Sequence, residues 1–168
     1  MQPHSTYQKL VFSALCIALY IVVMTATQSF AFGQYQIRIA TALYGLASLF
    51  PFLAVPLSLA NVISNTLMGG LGLPDMIGGF LVGLATTGSI VCGRRRGLGR
   101  WVIWAAVTFI PGLGVPIWLS LLLDIPYSVL AASLLVGQCV CGLFSVLLVS
   151  ALEGVGIQKT VWTGGHES

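Results

Sequence analysis

Charge is what this chain has least of. Only 7% of its 168 residues are Asp, Glu, Lys or Arg, where a soluble domain averages about 25%. So few charges cannot cover a water-facing surface, and the solvent for most of the chain is read as lipid. Histidine is confined to the tails, at His4 and His166. With no H-E-x-x-H, no embedded Ser/His pair and no paired glutamates in an apolar run, a membrane hydrolase or metalloprotease is not expected. The four cysteines lie in or at the ends of apolar runs. Cys139 and Cys141 form a lone C-x-C without a histidine or second pair, so they read as small apolar residues, and neither a metal nor a cofactor is expected. Gln158-Lys159-Thr160 resembles the end of a phosphate loop, but Gln158 stands where that loop needs glycine and no βαβ unit surrounds it. The chain is therefore not expected to hydrolyse ATP, or to be an enzyme. Its net charge of +3 does not imply nucleic acid, because the basic residues do not gather on a soluble surface. No cleavable signal peptide is expected, since the first apolar run is of spanning length.

What the chain has is long apolar runs. It is 57% hydrophobic with a mean hydropathy of +0.99. The runs are continuous rather than alternating, which favours helices over a β-barrel. With about 20 residues per span, the whole of 1–168 reads as one all-α integral membrane domain, a bundle of six transmembrane helices. The spans are predicted at about 9–27, 38–53, 56–68, 75–92, 101–123 and 126–152. Pro51 and Pro56 bracket a break. The stretch 111–116, PGLGVP, is expected to interrupt the fifth span, and Asp75 is a plausible N-cap of the fourth.

Arg94, Arg95, Arg96 and Arg100 fall between spans four and five. The positive-inside rule puts that loop in the cytoplasm. Six spans then put both termini there, in agreement with Lys9 and Lys159, in a protein of the plasma membrane. The remaining charges, Arg38, Asp75 and Asp124, fall on the outer side. There they either gather at a site loaded from outside or serve separately, the aspartates as helix caps and Arg38 as an interfacial anchor.

Arg38 stands in the stretch 30–43, FAFGQYQIRIATAL, among Gln34, Tyr35, Gln36 and Thr41. A charge at the edge of a hydrocarbon layer is costly, which makes Arg38 and its neighbours the first candidate ligand site. Ser58, Asn61 and Asn65 form one stripe on span three, holding the only two asparagines of the chain. In lipid they must face the bundle interior, as interhelical glue or as part of the pocket. Gln138, near the middle of span six, has the same two readings. On span one, Ala14 and Ala18 make a small-x-x-x-small face that permits close helix approach.

The pattern F-G-x-x-Q-x-R-x-x-x-A-L from Phe32 to Leu43, L-A-N from Leu59 to Asn61 and G-L-G-x-x-D from Gly70 to Asp75 resembles the QueT family. These are the queuosine-precursor substrate-binding (S) subunits of energy-coupling factor (ECF) transporters. The resemblance covers about 8–152. It implies a six-helix S-component bundle that captures a deazaguanine-type or related heterocyclic solute from outside. It also implies docking on a membrane coupling subunit driven by two cytoplasmic ATPases, with Ala14 and Ala18 as the docking face. The implied solute contacts are Phe32, Tyr35, Gln36, Arg38, Thr41, Asn61, Asn65, Asp75 and Gln138. Phe32 or Tyr35 would stack on a flat ring. In the family an acidic residue commonly stands three positions after the arginine, and another after a glycine in helix six; here these positions hold Thr41 and Gln138. Neutral groups in place of carboxylates imply a less cationic solute or another planar heterocycle. Two other readings remain open: an S component for a different vitamin or an aromatic amino acid, and a small structural or assembly membrane protein.

Overall fold

A computed structural model describes residues 6–31, 38–69 and 71–156. Among them all regular structure is helical: α1 (Thr6–Ala26), a short α2 (Gln28–Ala31), a 3-10 helix (Ile39–Ser48), a 3-10 turn (Pro51–Leu53), α3 (Ala54–Ser64), α4 (Leu73–Arg95), α5 (Trp101–Leu123) and α6 (Tyr127–Gly154). Five segments are long and apolar enough to cross a membrane: α1, Pro51–Met68, α4, α5 and α6. Their outward faces are strongly apolar, with Leu15, Leu81, Ile117, Leu121 and Leu147 among the exposed side chains. This is a multi-pass membrane protein, and the hydrocarbon layer is the solvent that makes those faces favourable.

The predicted second span, 38–53, takes a different form from the other five. Its regular part is a 3-10 helix of 10 residues. At about 2 Å of rise per residue it covers about 20 Å, short of the roughly 30 Å hydrocarbon layer. What it lacks in length it makes up in burial: every residue from Ala40 to Ser48 is buried. It lies inside the bundle, packed against α6 and also touching α1, α3, α4 and α5. Small residues permit this. A Cβ added at Gly45 would collide with Ser145 and touch Val149 on α6, so only glycine allows that approach. Tyr44 stacks on Tyr20 of α1, ring centroids 6.0 Å apart, and both rings are fully buried.

The expected interruption of the fifth span does not occur: α5 runs unbroken through Pro111 and Pro116. Each proline removes one backbone donor, but in lipid the remaining backbone bonds are too costly to give up. Both prolines are buried. Neighbouring glycines admit close partners, Gly112 against Leu135 of α6 and Gly114 against Val82 of α4. Asp75 does not cap α4 either. Gly72, with φ of +80°, precedes the helix, and Asp75 is in its first turn.

The two ends of the bundle differ in composition. One gathers Arg38, Asn65, Asp75 and Trp118, joined by hydrogen bonds. The other gathers the start of α1, where Phe12 packs on Phe50 and Phe52, and the stretch from Arg94 in the last turn of α4 to Arg100, tied to Glu153 of α6.

Candidate functional site

The site grows from the first turn of the 3-10 helix. The backbone N–H of Thr41 donates to the carbonyl of Arg38 at 2.9 Å, and the Thr41 hydroxyl reaches the same oxygen at 2.7 Å. Thr41 therefore fixes the backbone from which the Arg38 side chain leaves. The same hydroxyl lies 3.0 Å from Oε1 of Gln138 on α6. It has one proton for two acceptors, so the Gln138 amide can turn to donate to the threonine oxygen while Thr41 holds Arg38.

The guanidinium spans to α3. Nη2 of Arg38 donates to Oδ1 of Asn65 at 2.9 Å, and Nη1 donates to Oδ1 of Asn61 at 3.4 Å. The two asparagines stand one turn apart, so both carbonyls meet one fork-shaped cation. Their orientation is dictated from behind. Nδ2 of Asn61 donates to the Tyr44 hydroxyl at 2.9 Å and to the carbonyl of Gly79 at 3.2 Å. Nδ2 of Asn65 donates to the backbone carbonyl of Asp75 at 3.4 Å. With the amino groups engaged there, the carbonyl oxygens must face Arg38. From Asn65 to Gly69 the α3 helix widens into a π turn, a form of helix that recurs at functional sites.

Asp75 enters through α4. It is 4% exposed, and its Oδ1 accepts from Nε1 of Trp118 on α5 at 3.1 Å. The indole lies flat across Gly78, where an added Cβ would come within 2.7 Å of the ring. Asp75 also gains from its place in the first turn of α4, where the helix dipole favours an anion.

Of the residues expected at a site, Arg38, Thr41, Asn61, Asn65 and Gln138 are brought into one hydrogen-bonded network, and Asp75 joins it through its backbone. Phe32, Tyr35 and Gln36 lie outside the described residues. Asp124 stands apart: it ends α5 exposed, with φ of 57°, and forms no ion pair among the described residues. Sequence reasoning missed Tyr44, Gly79 and Trp118. Trp118 carried a signal, because an indole N–H inside an apolar helix needs an acceptor. Tyr44 and Gly79 carried none, since nothing along the chain says which carbonyl or hydroxyl meets an asparagine on another helix.

Chemically, the network presents one cation solvated by two neutral amide carbonyls, with donors and acceptors from Thr41 and Gln138 nearby. It contains no nucleophile aligned with a base. Its groups can donate and accept hydrogen bonds. Ala14 and Ala18 lie elsewhere, on the exposed face of α1 among Leu15, Leu19 and Val22.

No curated protein and no solved structure matches this chain. A family model described as QueT transporter matches residues 10–154, from the first turns of α1 to the end of α6.

Proposed function

The chain belongs to the QueT transporter family, a family of transporters rather than enzymes, and from that premise we propose that it is the solute-binding S component of an ECF-type importer. The solute is a queuosine precursor of deazaguanine type or a closely related heterocycle. The observation that carries this reading is the Arg38 fork held by Asn61 and Asn65. The guanidinium N–H groups that meet these neutral carbonyls can exchange an amide carbonyl for a carbonyl or ring nitrogen of the solute.

In this reading six segments cross or enter the membrane, with the 3-10 helix as the sixth. The arginine-rich end and both termini face the cytoplasm, by the positive-inside rule. The Arg38 end opens outward. Solute enters there, and Arg38 orients its polar edge. Gln36, Asn61, Asn65, Thr41 and Gln138 supply neutral hydrogen bonds, Asp75 anchors the wall, and Phe32 or Tyr35 stacks on the ring. The chain shows no phosphate loop, so ATP hydrolysis belongs to two cytoplasmic ATPases acting through a membrane coupling subunit. Ala14 and Ala18 support a docking role on α1, because α1 is the least buried of the long helices and small exposed residues admit another helix closely.

Thr41 and Gln138 are both neutral and nearly fully buried. A buried carboxylate could pair with an aminomethyl cation; a hydroxyl and an amide cannot. The site therefore favours a solute without that cation. Equilibrium binding of the purified protein to cyano-deazaguanine, aminomethyl-deazaguanine and queuine tests this. Tightest binding to the aminomethyl form would overturn the preference. Binding to none of them, with no rise in melting temperature at saturating solute, would overturn the solute class.

A further inference from the structure

At the arginine-rich end, an open cleft of about 440 Å³ is lined by Pro51, Ala54, Gly88, Val91, Cys92, Arg95 and Arg96. Its size falls in the range of small-molecule sites. Positions 88, 91, 92 and 95 share one face of α4, and Arg96 follows its last turn. Apart from Cys92 and the two exposed arginines the lining is apolar. The loop's other arginines are differently placed. Arg94 and Arg100 both pair with Glu153, at 2.6 and 2.7 Å. Arg95 and Arg96 are exposed and have no acidic partner among the described residues. Gly88 keeps the floor open, since a Cβ added there would meet nothing within 4 Å.

From this juxtaposition we propose that the cleft is a binding site for an anionic phospholipid. The phosphate pairs with Arg95 and Arg96, and the first part of an acyl chain lies on Pro51, Ala54, Gly88 and Val91. A free anion would gain from the arginines alone. A lipid gains from both charge and apolar surface, and a bundle in a bilayer is surrounded by lipid. The proposal rests on the membrane reading and is independent of the solute.

Cys92 gives a direct readout, because it lines the cleft and is exposed, while Cys16 and Cys141 are buried. In detergent-solubilised protein carrying Cys139→Ala, the rate of maleimide labelling of Cys92 is measured against added dioleoylphosphatidylglycerol, dioleoylphosphatidylcholine and inorganic phosphate. Phosphatidylglycerol is expected to slow labelling at concentrations where phosphatidylcholine and phosphate do not. The R95Q/R96Q variant should need about 30-fold more phosphatidylglycerol, taking about 5-fold per basic residue near an anionic headgroup. Gly88→Leu, which keeps both charges but fills the floor, should also weaken protection. Equal protection by phosphatidylcholine or by phosphate overturns the proposal. So does an unchanged response of R95Q/R96Q, or no protection by phosphatidylglycerol. Unchanged protection in Gly88→Leu overturns the acyl-chain part.

Discussion

The two ends of this bundle handle positive charge in opposite ways. At the arginine-rich end, Glu153 accepts from Arg94 and Arg100. Its side chain is 5% exposed against 15% and 51% for its partners, so one buried carboxylate ties the end of α6 to the last turn of α4 and the start of α5. At the other end, Nη1 and Nη2 of Arg38 donate to neutral groups, the side-chain carbonyls of Asn61 and Asn65. An ion pair cancels the field and fixes geometry. Amide carbonyls accept from a cation without adding a charge of their own. The first arrangement is a brace; the second is where we propose that the solute binds.

If that contrast holds, its largest expression is Arg38→Ala. Solute binding should weaken by roughly 100-fold, about 3 kcal/mol, in line with two hydrogen bonds to a charged group, while the protein still folds. Titration calorimetry with the best deazaguanine ligand checks this, and retained affinity would show that the pocket lies elsewhere. Next is Gly79→Ala. Its Cβ would sit 2.9 Å from Nδ2 of Asn65 and 3.4 Å from Oδ1 of Asn61, pushing both amides off the guanidinium. Overpacking of this kind costs about 1–3 kcal/mol, so affinity should fall about 10-fold, read in the same titration. Glu153→Gln should do the reverse. Stability in a detergent thermal melt falls by roughly 1–2 kcal/mol, and solute affinity stays as it was. A loss of affinity there would mean the two ends are coupled. The smallest effect is Arg100→Gln. Because Arg100 is half exposed, its pair with Glu153 is worth less than about 1 kcal/mol. The stability difference from the parent protein should fade at about 1 M salt, where the screening length is about 3 Å.

Much of this was legible along the chain. Sparse charge and continuous apolar runs read directly as a helical membrane protein, because lipid imposes a compositional rule on every span. The stripe of Ser58, Asn61 and Asn65 read as inward-facing, and all three are buried, since polar groups in lipid must find partners. The motif around Arg38 pointed to the family that the match over 10–154 now shows. Three expectations needed the third dimension. Pro111 and Pro116 predicted a break, but local proline chemistry is outweighed when the helix is buried against α4 and α6. Asp75 looked like a cap, yet its carboxylate is taken by Trp118, 43 positions away. The stretch 38–53 was apolar enough for a span, and hydropathy does not report whether a helix winds as α or 3-10.

The sequence by itself determined the solvent, the helical class and the chemical identities available at each end, because composition and pattern act locally on every residue. Only the tertiary structure decided which of those groups meet. The Asn61 and Asn65 carbonyls face Arg38 because Tyr44, Gly79 and Asp75, on the 3-10 helix and α4, occupy their amino groups. Asp75 is held by an indole on α5. Those pairings are set by helix packing and by glycines that let backbones approach, and no local signal encodes a distance between residues that only packing brings together.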